Sequence, residues 1–417
     1  MKRTFILKLA KRFYQYGAPS HRFEHHLTQV AEALKVEAEF ILLPALIMVS
    51  FGGENYKSNT HFIKVSGGIN MAKLAQVNAL CLTLTQGLID VENAMDLLEG
   101  IRVANDYSWW QVLLTYPVSS FTIGLLLFRL SWLESSIAGG LGLVVGTMSL
   151  AADKHTGFVF LLEFVGSLVV SFTSRALQGI LHNVCFDYVK VALAALAVFL
   201  PGLSLTISII ELSTRNMVSG TVRLFSALFI AMLLGFGMTI GSALVLWETS
   251  APTNPTCEPP SLYWAFLFFL PMAMATNISF QGSKHQWAVM TLAAALGFVF
   301  NTLLNLIPGL AAQPTAVTAL SAISIGLTGN IYARITNDVA VAPILAGILL
   351  QVPGGLGVKS TLGFFAGVTE GSSANIVNGV NFTFQMLTIA MSLAMGLFVA
   401  TLMVWPIRGP KSKYLTI

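Results

Sequence analysis

Glu163 is the residue of this chain most at odds with its neighbours. It stands beside Leu162, Phe164 and Val165 in an apolar run from Gly157 to Ser174. A carboxylate at bilayer depth costs on the order of 2–3 kcal/mol or more, so it is expected to face a protein interior. There it can carry a proton or pair with a substrate ammonium; a structural hydrogen bond to a neighbouring helix is the plainer reading. A second kind of chemistry is carried by backbone. Val191 to Ile210 holds no charge, yet Pro201 and Gly202 interrupt it, and Pro353-Gly354 interrupts a similar run about 150 residues later. Proline removes a helix hydrogen bond and glycine frees the chain, so both runs should break. Freed N–H and C=O groups are tolerated in a membrane only when buried in protein or lining a watery cavity. The N–H groups at a half-helix start suit a carboxylate and the carbonyls suit an ammonium, so a zwitterionic amino acid uses both. Two such breaks in matching places of two halves point to a transport site; either one alone reads as a proline kink.

Just beyond the first break lie Glu211, Arg215, Asn216 and Arg223. Glu211 and Arg215 are four apart and can pair on a helix, as an inner gate whose ion pairs rearrange. The alternative is a solvated loop. A third constellation, His21-Arg-Phe-Glu24-His25, matches the H-x-x-E-H pattern of one metalloprotease class. With three fixed positions in five residues the match is weak, and polar contacts with lipid or the membrane part are preferred. No metal or other cofactor is expected.

The elements that position these residues follow from composition. Of 417 residues, 55% are hydrophobic and 10% charged, with a mean hydropathy of +0.74, whereas soluble domains carry about 25% charged residues. This is a polytopic membrane protein. Its net charge of +4 gives no reason to invoke nucleic acid. Cys81, Cys185 and Cys257 show no metal-type spacing, so neither a disulfide framework nor a zinc site is inferred. Met1 to Arg22 lacks the apolar core of a signal peptide.

Residues 1–110 hold half of the charged residues and read as a small α+β domain. Two amphipathic helices flank Gly17-Ala-Pro19, with Ser20 as an N-cap. A strand over Phe40 to Phe51 is interrupted by Pro44, a turn follows at Gly52-Gly53, and a second strand covers Thr60 to Val65. Helices span Asn70 to Gly87 and Asp90 to Ile101. Residues 111–247 form a first five-helix membrane module, with spans near 112–131, 134–152, 157–175, 190–210 and 222–246. A proline-rich outer loop, 248–261, leads to a second module, 262–406. Its spans lie near 262–280, 286–306, 315–333, 339–357 and 380–404, and a basic tail fills 407–417. Lys154, Arg215, Arg223, Lys284 and Arg334 fall in inner loops and Arg129, Arg175 and Lys359 outside, so both termini are expected to be cytoplasmic. Five spans per half is an odd number, so consecutive halves face opposite ways as inverted repeats.

Several of these residues carry a resemblance. Tyr16-Gly-Ala-Pro-Ser-His21-Arg22, Leu162-Glu163-Phe164, Arg175-Ala176, Leu200-Pro-Gly202 and Gly235-Phe-Gly-Met-Thr-Ile-Gly241 resemble motifs of the threonine/serine exporter family. So does Glu211-Leu-Ser-Thr-Arg215-Asn216-Met-Val-Ser-Gly220-Thr-Val-Arg223. Val352-Pro-Gly-Gly and Gly396-Leu-Phe-Val-Ala are similar to its fungal branch, the pheromone-regulated membrane proteins. The resemblance implies two fused five-helix modules and export of small amino acids linked to the proton-motive force. Asn337-Asp338 and the stretch Val358 to Val380 depart from the family pattern.

The expectation is therefore an all-α polytopic protein of about ten transmembrane helices in two inverted five-helix repeats, with a small α+β cytoplasmic domain. It would be a carrier rather than an enzyme, multi-pass in a plasma membrane or endomembrane, exporting threonine- or serine-like solutes against protons. A homo-oligomer is compatible with the chain. The substrate and proton pathway is assigned to Glu163, Pro201, Gly202, Glu211, Arg215, Asn216, Arg223, Pro353 and Gly354. The alternative is a non-transporting scaffold or fusion-related protein whose amino-terminal domain recruits partners. A third is a tethered hydrolase using His21, Glu24 and His25.

Overall fold

The computed structural model describes the chain except residues 53–58, 105–106, 160, 182–184, 246–259, 262, 353, 372 and 406–417. The side chains of 20–22, 156, 366, 369 and 370 are likewise outside the described set.

The amino-terminal part is α1 (Lys2–Gln15), α2 (Ser20–Ala33), β1 (Ala38–Leu43), β2 (Leu46–Phe51), β3 (Asn59–Lys64), α3 (Met71–Thr85) and α4 (Val91–Val103). The strands form one antiparallel sheet in the order β1-β2-β3. Phe5, Leu9 and Phe13 on α1 and Phe23, Leu27 and Val30 on α2 are buried against it, the stripe that helical periodicity requires. The single strand expected over Phe40 to Phe51 is in fact two. Leu43 pairs with Leu46 across a two-residue turn, and Ala45 takes φ +62°. Pro44 cannot donate to a strand ladder, so it marks the turn itself rather than a defect within one strand. The turn expected at Gly52-Gly53 lies partly outside the described residues.

The first group of helices beyond this part, before the undescribed residues 246–259, comprises α5 (Trp109–Leu126), α6 (Trp132–Lys154), α7 (Thr156–Val159), α8 (Leu162–Ile180), α9 (Tyr188–Ala195), α10 (Gly202–Ser213) and α11 (Met217–Ala243). A 3-10 turn, Ala197–Phe199, separates α9 from α10. The second comprises α12 (Trp264–Ser279), α13 (Trp287–Asn305), α14 (Pro308–Ala311), α15 (Pro314–Thr336), α16 (Val341–Ile348), α17 (Gly354–Glu370) and α18 (Ser373–Val404). Among the described residues α6, α11, α13, α15 and α18 are each long and apolar enough to cross a bilayer, and α9 with α10 makes a broken span bent by 64°. Large apolar side chains such as Phe225, Phe229, Phe266 and Leu267 are exposed on the outside of these helices, as contact with a membrane demands. Within each half, α8 packs along α11 and α15 along α18; the halves meet through α5 with α12, α11 with α17, and α10 with α18.

Two boundaries depart from expectation. The third span starts at Leu162, not Gly157, so Glu163 occupies the first turn of α8 rather than mid-span. An acidic side chain there meets the positive end of the helix dipole. The ninth span does not end near residue 357: α17 runs on to Glu370, which brings Lys359 into the helix from the outer loop.

The domain is joined to the membrane part by hydrogen bonds as well as by sequence. The first N–H groups of a helix have no partner within it. In α3 those of Met71 and Ala72 donate to the carbonyls of Phe280 and Gln281, 3.0 Å each. The Tyr107 hydroxyl donates to the Gly282 carbonyl at 2.6 Å and accepts from Trp287 Nε1 at 3.0 Å. Burial raises the Tyr107 phenol above its ordinary range, ahead of the opposing effect of Trp287.

Candidate functional site: the crossed breaks and the Glu211 cavity

The two interrupted spans meet at their interruptions. Pro201 is the N-cap of α10 and Gly202 its first residue; Gly354 opens α17, while Pro353 lies outside the described residues. A methyl group on Gly202 would lie 2.7 Å from the Gly354 nitrogen, and one on Gly354 would lie 3.3 Å from the Gly202 nitrogen. The chains therefore pass backbone to backbone, a separation that glycine alone allows at both points. Two helix starts with their free N–H groups converge here, beside the ends of α9 and α16. One carbonyl at the first break is met by a neighbouring helix: the buried Ser120 Oγ donates to the Ala195 carbonyl at 3.2 Å.

A cavity of about 390 Å³ lies along α10, from Ser204 to Glu211, beneath the amino-terminal domain. Ser204, Ile207, Ile210 and Glu211 line it on α10, Ser219, Arg223 and Ser226 on α11, and Ile344, Leu345 and Ile348 on α16. The amino-terminal domain closes it with Tyr14, Gly17, Ala18, Pro19, Gly67 and Gly68. Gly17 holds φ +87°, and a methyl group there would meet the Gly68 carbonyl at 2.7 Å; the Gly17-Ala-Pro19 corner is shaped by that approach.

Glu211 is fully buried, and its Oε2 is 3.3 Å from Nε of Arg223, whose side chain is 39% exposed. Ser219 Oγ donates to the same oxygen at 3.0 Å. The pairing of Glu211 with Arg215 expected from their spacing does not occur. α10 ends at Ser213, and Arg215 takes φ +65° in the corner beyond it, so the i,i+4 geometry is lost and Arg215 is exposed. Asn216 serves the corner: its N–H donates to the Glu211 carbonyl at 2.9 Å, and its Nδ2 to Thr214 Oγ1 at 3.2 Å.

Glu163 stands apart from that pair. Gly166, one turn further along α8, packs against the Phe199 ring of the 3-10 turn, where a methyl group would be 3.4 Å away. Glu163 shares that helix face, one turn (~5 Å along the axis) before Gly166. It is half-buried and has no hydrogen-bond or ion-pair partner among the described residues. The residues brought together are thus Pro201, Gly202 and Gly354 at the crossing, and Glu211 with Arg223 in the cavity.

Sequence reasoning passed over Ser219, the domain residues that close the cavity, and Lys359. Lys359 is the sixth residue of α17, about 8 Å past the break at 1.5 Å per residue. It is half-buried, with no partner among the described residues. Its signal was the apolar run resuming after Pro353-Gly-Gly, which the glycines diluted. The hydrolase constellation fares otherwise: Glu24 is exposed, the side chain of His21 is outside the described residues, and no group of three metal-ligating side chains gathers among the described residues. The inference of no disulfide needs correction. Cys185, just before α9, is disulfide-bonded, its partner sulfur lying outside the described residues, while Cys81 is a free, buried thiol. Spacing along the chain said nothing about it, because helices returning through the membrane bring distant loops together.

Comparison with known families decides what this architecture is. Residues 4–245 match the threonine/serine exporter family, and residues 262–403 match the family described as "Threonine/Serine exporter, ThrE". The chain belongs to the threonine/serine exporter family. It is similar to pheromone-regulated membrane protein 10 of Eremothecium gossypii, 32% identical over all of this chain and 58% of that protein. The protein of the same name from Kluyveromyces lactis is 30% identical over 100% of this chain and 45% of its own length. That from Saccharomyces cerevisiae is 29% identical over 99% and 55%. The chain spans about half the length of these curated relatives. No solved structure matches it. Within the family frame, the Gly17-Ala-Pro19 motif and the Glu211 to Arg223 block, far apart in sequence, face each other across one cavity.

Proposed function

We propose that the chain is a secondary carrier exporting small hydroxylated amino acids, threonine or serine, in exchange for protons. It would hold ten membrane crossings in two inverted five-helix repeats, with both termini in the cytoplasm. The observation that carries this reading is the cavity that holds the Glu211–Arg223 pair between α10, α11, α16 and the amino-terminal domain. A zwitterion can insert into that pair, its carboxylate taken by Arg223 and its ammonium by Glu211, so that one ion pair becomes two. Ser204, Ser219 and Ser226 offer hydroxyls to a hydroxylated side chain. Nearer the crossing, the starts of α10 and α17 favour negative charge. Glu163, without a described partner, is the proton carrier in this scheme.

Two features support the inverted plan. α16 runs from the domain side to the crossing, where α17 takes over, while α10 runs from the crossing back to the domain side. In addition, the disulfide of Cys185 suits an oxidising compartment, in keeping with a reading that sets the start of α9 on the outer side and the amino-terminal domain on the opposite one.

The test is flux in proteoliposomes carrying the purified full chain under an imposed pH gradient. Labelled serine and threonine should move and alanine less well. Glu163→Gln should abolish gradient-driven flux while leaving serine exchange, and Glu211→Gln should abolish both. Flux of neither solute, or flux indifferent to both variants, would end the proposal.

A further inference from the structure

The walls of the Glu211 cavity differ in chemistry. Below the amino-terminal domain, its charged and hydroxyl side chains come from two helices: Ser204 and Glu211 on α10, and Ser219, Arg223 and Ser226 on α11. The wall given by α16 is aliphatic. Val341, Ile344, Leu345 and Ile348 line the cavity at the spacing of one helix face, and no residue of α16 has a polar side chain. Ile207, one turn before Glu211 on α10, adds a further branched side chain.

Glu211 Oε2 and Arg223 Nε are 3.3 Å apart. Groups that close fit an ammonium and a carboxylate borne on one carbon, as in an α-amino acid, better than charges at the two ends of a peptide. An amino acid held there has its side chain left to the rest of the cavity. The volume of about 390 Å³ falls in the range, about 300–1,000 Å³, of pockets that hold drug-sized ligands, so serine or threonine leaves much of it unfilled. The hydroxyls do not enforce a hydroxylated side chain. A site rejects a substrate lacking a hydroxyl where buried polar groups are then left unpaired. Here Ser219 Oγ already donates to Glu211 at 3.0 Å, while Ser204 is half-buried and Ser226 exposed. None of the three is a buried oxygen without a partner. Valine, which has the shape of threonine and no hydroxyl, strands nothing.

We propose that the Glu211 cavity also takes branched aliphatic amino acids, valine and isoleucine, and that the α16 face sets this preference. The proposal rests on the reading of this cavity as the binding site of an amino-acid carrier, and it widens the substrate class beyond hydroxylated side chains. Burying one more methylene against an aliphatic wall tightens binding roughly fourfold. Threonine should therefore bind more tightly than serine, and isoleucine about fourfold more tightly than valine. A carboxamide of similar size gains nothing from α16 and loses its water there, so asparagine should bind poorly.

The experiment measures exchange of labelled threonine in proteoliposomes carrying the purified full chain, with unlabelled serine, valine, isoleucine or asparagine as competitor. Isoleucine should inhibit at a concentration about fourfold below valine, and asparagine at one at least tenfold above isoleucine. Leu345→Phe narrows the cavity from α16 and should raise the ratio of isoleucine to serine half-inhibition at least tenfold. Ile207→Phe narrows it from α10 and carries the same test where the α16 variant fails to fold. A ratio is read because a general loss of activity leaves it unmoved. Absence of any threonine exchange would end the carrier reading, and this proposal with it. Threonine exchange that neither valine nor isoleucine inhibits, asparagine as effective as isoleucine, or a ratio unchanged in both variants would overturn this proposal alone.

Discussion

Gly202→Ala puts the crossing of the two broken spans to a quantitative test. The added methyl would sit 2.7 Å from the nitrogen and 2.8 Å from Cα of Gly354, and would also overlap Val352 Cγ1. The first two atoms are backbone at the start of a 17-residue helix and cannot rotate aside. Overpacking of this kind costs roughly 1–3 kcal/mol, more where backbone must shift. Alanine recovers at most about 1 kcal/mol of helix propensity, less at a first helical residue. The net expectation is a loss of roughly 1–3 kcal/mol. The matched control is Gly100→Ala on α4, where an added methyl meets nothing within 4 Å; there the same substitution should gain about 0.4–1 kcal/mol. Thermal unfolding of both variants in one detergent gives opposite signs if the crossing is as described. Val352→Ala combined with Gly202→Ala should recover only part of the loss, because the Gly354 backbone remains in the way. A Gly202→Ala protein as stable as Gly100→Ala, or fully rescued by Val352→Ala, would refute the backbone-to-backbone contact.

Other consequences follow from the same geometry. Arg223→Met leaves the fully buried Glu211 without its guanidinium; because Arg223 is 39% exposed and its pair is screened by water, the expected loss is about 1–3 kcal/mol. The double variant with Glu211→Gln should recover most of it, and a strictly additive result in denaturation would show that the two side chains do not interact. Lys359→Met removes a charge from α17 and should leave unfolding temperature unchanged or higher while lowering flux in proteoliposomes; full flux would show the ammonium idle. Burial pushes the Cys81 thiol far above its ordinary range, so maleimide should leave it unmodified in the folded protein, and Cys185 should react only after reduction, as read by peptide mapping.

How much of this was legible in the sequence depends on the kind of signal. Apolar length and proline-glycine interruption are local, and they located the broken spans because a bilayer penalises free backbone wherever the chain goes. The amphipathic stripes of α1 and α2 were legible for a similar reason, since a 3.6-residue period is read off neighbours. Pro44 was visible but misjudged: a proline inside an apolar stretch marks either an edge or a turn, and the Leu43–Leu46 pairing that decides between them is tertiary. Glu163 and Lys359 were misplaced for one cause. A hydropathy window does not register that helix begins at Leu162 rather than Gly157 or runs on past residue 357 to Glu370, so charges near those points were assigned to the wrong depth.

The site itself was half legible. The charges of the Glu211 to Arg223 block stood out, but spacing favoured Arg215 as the partner because a helix was assumed to continue. The chain turns at Arg215 in the left-handed region, and that corner folds α11 back along α10, delivering Arg223 from twelve residues away. No local pattern contains this, since the partner is chosen by the angle between two helices. The same holds for the cavity's closure. Gly17-Ala-Pro19 reads as a linker between two helices; only the docking of α3 on the carbonyls of Phe280 and Gln281 brings that corner opposite Glu211. The domain is thus positioned by backbone carbonyls of Phe280 and Gln281 over the charge pair of α10 and α11.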